Sequence, residues 1–155
     1  MFDPPFPNGS MLCYFTSLYL NQFDDLVIDK MITSFIKRPA KILPFVLQDL
    51  SGASMRVSAD KTAFGDRSAP YLLELNSAWL DPKESDFNIS WTRENMAKFK
   101  EFSTGATYLN HSGFNEEGEK LVKRTYGANY ERLRQVKKKY DPSNLFRVNQ
   151  NITPG

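Results

Sequence analysis

This sequence predicts an α+β fold: an antiparallel sheet with helices packed on one face. Three observations lead there. The hydrophobic period changes along the chain, from the uncharged aromatic-rich run 12–20 and the alternating run 71–80 to segments near 22–37 and 86–102 whose apolar residues recur every three or four positions. These segments follow one another as strand, helix, strands, helix, which suits an antiparallel sheet with its helices segregated and not a run of parallel crossovers. The chain has 155 residues, of which 41% are hydrophobic and 25% charged. That makes one domain, large enough to bury about two-thirds of its unfolded surface.

Residues 1–10 carry Pro4, Pro5, Pro7, Asn8 and Gly9 and read as a loop. The run 12–20 reads as a strand buried on both faces and interior to the sheet. Asn21 is positioned to cap a helix over about 22–37, with Asp24 and Asp25 in its first turn, Lys37 and Arg38 at its end and Pro39 beyond. Phe23, Leu26, Val27, Ile28, Met31, Ile32, Phe35 and Ile36 give it a broad apolar face for the sheet. Strands are expected near 42–50 and, after a Ser51-Gly52-Ala53 turn, at 54–57; a polar loop anchored by Phe64 then leads to the strand 70–80. There Leu73, Leu75, Ser77 and Trp79 share one face, while Glu74 and Asn76 lie on the other, the wetter one. Asp81-Pro82 ends this strand, and the helix 86–102 offers Trp91, Met96, Phe99 and Phe102 to the core. A last strand is expected at 105–110, followed by helical pieces 116–124 and 129–139 divided at Gly127. Tyr130, Leu133, Val136 and Tyr140 stripe the final helix. Beyond it, Asp141-Pro142-Ser143-Asn144 stops the helix, with Leu145 and Phe146 as the apolar anchor of a docked tail.

Composition excludes several classes of function. Cys13 is the only cysteine and His111 the only histidine, so there is no intrachain disulfide and no expected metal site. The dinucleotide-binding glycine fingerprint, the P-loop, the zincin motif and the nucleophile elbow are all absent. Net charge is +2, and the cations that crowd residues 120–139 read as a solvated helix face, with no recognition element for nucleic acid. No apolar run approaches the roughly 20 residues of a membrane span, and the opening residues lack the regions of a secretory signal, so a cytoplasmic location is expected. The Asn-x-Ser/Thr triplets at Asn8, Asn88, Asn110 and Asn151 read as chance.

Polar, titratable and aromatic residues converge at Tyr108-Leu109-Asn110-His111. Strand alternation would send Tyr108 and Asn110 to one side. His111 reads either as a turn residue bonded to backbone or as a proton-transfer group, since a free imidazole titrates near neutral pH. The tail amides Asn149, Gln150 and Asn151 either tie the chain end down or present donors and acceptors to a ligand.

The run Tyr140-Asp141-Pro142-x-Asn144-x-Phe146-Arg147-x-Asn149-Gln150-Asn151-Ile152 resembles the C-terminal signature of the berberine-bridge-enzyme-like FAD-linked oxidases. Tyr126-Gly127-Ala128-Asn129-Tyr130-Glu131-Arg132-Leu133 resembles the family's last helix and Tyr108-Leu109-Asn110 its Tyr-x-Asn strand. Ala69-Pro70-Tyr71, Trp79, Asp81-Pro82 and Phe102-Ser103-Thr104-Gly105 fit its substrate domain. The resemblance divides the single domain into a partial substrate-domain-like region, 1–105, and the C-terminal segment, 106–155. It implies an alcohol or similar small molecule oxidised by hydride transfer to FAD, with Tyr108 and His111 catalytic and Asn110, Asn149, Gln150 and Asn151 toward the cofactor. Glu74 and Asn76 face the substrate in this reading. Many members continue Tyr-x-Asn with a second tyrosine, the base; His111 stands in that place here. The family's flavin-attaching domain precedes this region and is not visible in the sequence. The chain alone is therefore expected neither to bind FAD nor to act on substrate, and its partners would be a flavin-binding domain or subunit and further copies of itself through an uncovered sheet face. The alternative is a stand-alone binding domain that keeps the fold without flavin chemistry.

Overall fold

In the computed structural model, which describes residues 9–64, 66–114, 118–148 and 150–155, the sheet is built on its last strand. β3 (Tyr71–Trp79) lies between β1 (Leu12–Leu20) and β2 (Phe45–Asp49), antiparallel to both. The register sets Leu18 opposite Leu73, Thr16 opposite Leu75 and Phe45 opposite Leu75. Because side chains alternate, this pairing gathers Leu18, Leu20, Leu73 and Leu75 on one face. There they form the main core with Val27 of α1 (Asp25–Lys37), Met96 of α3 (Ser85–Ala97), and Phe99 and Phe102 just beyond it. Ser77 and Thr92 close a buried hydroxyl pair, 2.6 Å apart, between β3 and α3.

Several expected elements take a different form. β1 is an outer strand of the ladder, although the chain 102–113 runs along its free side through Tyr19 N–H to Ala106 C=O, Thr104 N–H to Tyr19 C=O and Gly113 N–H to Phe15 C=O. That stretch contains the strand expected at 105–110. It is not one: its β-bridges to β1 are isolated ones at Ser103 and Ser112, and between them Leu109–His111 coil into a single 3₁₀ turn. The expected strand 42–50 shortens to Phe45–Asp49, behind Pro44, which has no N–H for a ladder. Residues 54–57 are not a strand either. Gly52, at φ +79°, reverses the chain into one helical turn, α2 (Ala53–Arg56).

The helix ends also shift. Asp24, not Asn21, caps α1, its carboxylate accepting from Val27 N–H at 3.1 Å. α3 stops at Ala97, and a separate 3₁₀ turn, Lys100–Phe102, carries the chain on. α4 (Glu119–Tyr126) and α5 (Asn129–Tyr140) are divided at Gly127, φ +50°, and joined by Tyr130 Oη donating to Glu119 Oε1 at 2.6 Å. Of the broad apolar face expected on α1, Val27 is buried, whereas Leu26, Ile32 and Ile36 are exposed. On α5 the stripe holds at Tyr130 and fails at Val136 and Tyr140, both exposed.

The tail docks by hydrogen bonds and not by its apolar residues: Leu145 is 70% and Phe146 77% exposed. Asp141 holds it, its carboxylate accepting from Leu145 N–H (2.7 Å), Phe146 N–H (3.0 Å) and the Lys137 ammonium. Lys137 first, then these backbone N–H groups, keep the Asp141 carboxyl below the usual carboxylate range. A carboxyl whose folded pKa is depressed contributes stability above its unfolded pKa of about 4 and loses it as pH falls through the folded value. Asp141→Asn should therefore lower the melting temperature at neutral pH and flatten its decline below about pH 4. Thermal melts of both proteins across that range check this; parallel curves would refute it.

Candidate active site

The second face of β3 presents Leu72, Glu74, Asn76 and Ala78, and all four are buried. The wetter face expected for Glu74 and Asn76 is thus dry, because the chain after Ser103 folds over it. The side of the sheet expected to lie uncovered is this same face, and its β3 residues are buried. Covering a carboxylate demands partners. Glu74, 3% exposed, has them from three elements: Gln48 Nε2 of β2 donates to Oε1 at 2.7 Å, Asn76 Nδ2 to Oε2 at 3.4 Å, and His111 Nδ1 lies 3.2 Å from Oε2. Nδ1 makes no hydrogen bond. The contact becomes an ion pair when the ring carries a proton.

Ser17 of β1 sets the position of His111. Buried opposite Glu74 in the register, it accepts from Tyr108 N–H at 3.0 Å and donates to the His111 carbonyl at 2.9 Å, while Thr107 Oγ1 donates to the Ser17 carbonyl at 2.6 Å. His111 N–H closes the turn on Tyr108 C=O at 2.8 Å. The ring then lies 5.4 Å from Phe15 and 5.5 Å from Tyr108, edge to face with the latter. Tyr108 and Asn110 meet, as expected, but through the 3₁₀ turn and not strand alternation: Asn110 Nδ2 donates to Tyr108 Oη at 2.7 Å. A cavity of about 190 Å³ adjoins them, bordered by Tyr19, Phe64 and Tyr126. Burial pushes the Tyr19 hydroxyl up to about 12, so it stays protonated at neutral pH. A larger cavity, about 270 Å³, borders Arg93, Lys100 and Arg124 and includes neither Glu74 nor His111.

The tail returns to this cluster. Gln150 Nε2 donates to Ser112 Oγ at 2.7 Å, next to His111. Gln150 Oε1, Asn151 Oδ1 and Asn76 Oδ1 are buried without a hydrogen-bond partner. Asn149 lies outside the described residues. The sequence reading did not single out Gln48, Ser17 or Phe15, whose parts depend on cross-strand register. Among the described residues no cluster of metal-ligating side chains occurs, and no helix is long and apolar enough to cross a membrane.

The family model for berberine and berberine-like proteins matches residues 107–153. The FAD-linked oxidoreductases YvdP and YgaK of Bacillus subtilis are 34% identical over 110 residues and 38% over 107, covering 71% and 69% of this chain. The chain matches the C-terminal part of a berberine-bridge-enzyme-like oxidoreductase. It spans about a quarter of the length of these curated relatives: 24% of YvdP and 23% of YgaK. The fold agrees with the berberine-bridge-enzyme-like structures. Protein 28 of that series from Arabidopsis thaliana superposes with a TM-score of 0.82 at 18% identity, over 94% of this chain and 34% of its own. The Bermuda grass isoallergen BG60 does so with 0.82 at 19% identity, over 96% and 34%.

Proposed function

We propose that this chain is the substrate-covering portion of an FAD-dependent oxidoreductase that oxidises an alcohol or similar small molecule, and that it is inactive by itself. One observation carries the reading: a buried carboxylate, Glu74, abuts the only histidine, which is itself held between Phe15 and Tyr108. In this reading a substrate hydroxyl gives its proton to His111 through Nε2, and Glu74 compensates the charge that forms on the ring. Tyr108, with its hydroxyl fixed by Asn110, orients the substrate. As the O–H proton leaves, the carbon loses hydride and becomes a carbonyl. FAD, when bound in the complete protein, supplies the acceptor for that hydride. The unpartnered oxygens of Asn76, Gln150 and Asn151 fit such a group, since a flavin ring edge or a hydroxylated substrate brings the N–H or O–H donors they lack.

The test is visible absorbance of the purified chain after incubation with FAD and gel filtration, alone and with the flavin-binding portion of a related oxidoreductase supplied in trans. The chain alone should emerge colourless, and the combination should retain flavin and oxidise alcohols. A yellow protein from the chain alone, or an assembled complex with no activity toward any alcohol, would contradict the proposal.

A further inference from the structure

We infer that Gln150, acting from the tail through Ser112, locks the turn that carries His111 and is thereby a positioning residue for the proton transfer proposed above; its catalytic consequence rests on that reading of His111. The turn needs a lock. Leu109–His111 is a single 3₁₀ turn closed by His111 N–H on Tyr108 C=O at 2.8 Å, and so short a helical piece is unfavourable by itself. Two serine hydroxyls hold it. Ser17 takes Tyr108 N–H and the His111 carbonyl from the sheet side. Ser112 takes a third point, its Oγ donating to the Leu109 carbonyl at 2.9 Å.

The two serines are not equally secure. Ser17 is buried on β1, where the groups packed around it fix its hydroxyl. Ser112 is half-buried, and a hydroxyl there can rotate away from the Leu109 carbonyl and bond to water instead. Gln150 removes that freedom. Its Nε2 donates to Ser112 Oγ at 2.7 Å, which occupies the oxygen and leaves the Ser112 O–H for Leu109. Tail amide, serine hydroxyl and turn carbonyl then form one directed chain of hydrogen bonds that ends a residue or two from the imidazole.

The tail is held so as to deliver this side chain. On one side of Gln150, Asp141 binds the Leu145 and Phe146 N–H groups and Lys137 binds the Phe146 carbonyl. On the other, Arg134 Nε donates to the Thr153 carbonyl at 3.4 Å and Gly155 N–H to the Arg134 carbonyl at 3.5 Å. These partners all belong to α5 or to the residue that ends it. Among the described residues, Gln150 to Ser112 is the hydrogen bond that ties the tail to the rest of the fold. The same bond orients the amide: with Nε2 on Ser112, Oε1 is the end left without a partner.

Hydrogen exchange on the full 155-residue chain reads the turn itself. Gln150→Glu keeps the shape of the side chain but has no N–H to donate; it should speed exchange of the His111 amide roughly two- to tenfold, the range that one neutral hydrogen bond supports, while circular dichroism stays that of the parent chain. In an enzyme completed by a flavin-binding portion, the same variant should lower kcat by about ten- to a hundredfold, with KM and flavin content unchanged, as expected for a displaced proton acceptor. Gln150→Ala and Ser112→Ala should each act alike, and the two together should cost little more than either, because both break one chain of bonds. Unchanged His111 exchange in Gln150→Glu overturns the proposal. So does normal kcat in that variant when His111→Ala disables the same enzyme, and so do additive losses from Gln150→Ala and Ser112→Ala, or a loss confined to KM or flavin content, which would put Gln150 on the ligand. A loosened turn in an enzyme indifferent to His111→Ala supports the lock and overturns the functional reading alone.

Discussion

In an enzyme completed by a flavin-binding portion, His111→Ala should lower alcohol turnover about 10²- to 10⁴-fold, the range associated with loss of a positioned general base. The chain's own melting temperature should move little, because the His111 side chain is partly exposed and forms no hydrogen bond through Nδ1. Glu74→Gln should cost turnover by a similar route, since a neutral amide cannot compensate an imidazolium, while Gln48 keeps a neighbouring oxygen to bond. Tyr108→Phe should raise KM more than it lowers kcat if that hydroxyl orients substrate. Steady-state kinetics on the three variants, with flavin content measured in each, separates these effects. Turnover unaffected by both His111→Ala and Glu74→Gln would remove the cluster from the chemistry and leave its hydrogen bonds as packing.

Leu73→Ala should destabilise the fold by about 3–5 kcal/mol. Leu73 has no exposed surface, sits on the central strand opposite both Leu18 and Leu47, and joins the cluster that binds α1 and α3 to the sheet. Truncation there removes three carbons' worth of apolar burial and opens a cavity walled by side chains from both neighbouring strands, which cannot all collapse inward at once. Against a typical domain stability of 5–15 kcal/mol, that is a large fraction, and a loss of about 10 °C in melting temperature follows for a chain of this size. Urea denaturation followed by far-ultraviolet circular dichroism measures it. A shift below about 1 kcal/mol would mean that Leu73 is not at the core. Leu145→Ala, by contrast, touches a side chain that is 70% exposed and should change little.

The sequence alone determined the elements with strong local signals. Alternation in Tyr71-Leu72-Leu73-Glu74-Leu75 set β3 and sorted its two faces; the uncharged run from Leu12 set β1; Asp81-Pro82 and Gly127 set breaks where they occur. The tail motif after Tyr140 and the Tyr-x-Asn-His run pointed to the family that the comparisons support, and to the neighbourhood where His111 sits. Periodicity, however, reports which residues share a face and not which face becomes covered, so Glu74 and Asn76 read as wet and are buried. The expected strand at 105–110 failed for a related reason: Ser17 captures Tyr108 N–H and the His111 carbonyl with its side chain, from about ninety positions away, and the backbone turns instead of pairing. Only the tertiary structure could bring Gln48, Glu74 and His111 together, because each reaches the cluster through a cross-strand register or a long-range hydrogen bond, and neither leaves a trace in the local order of residues.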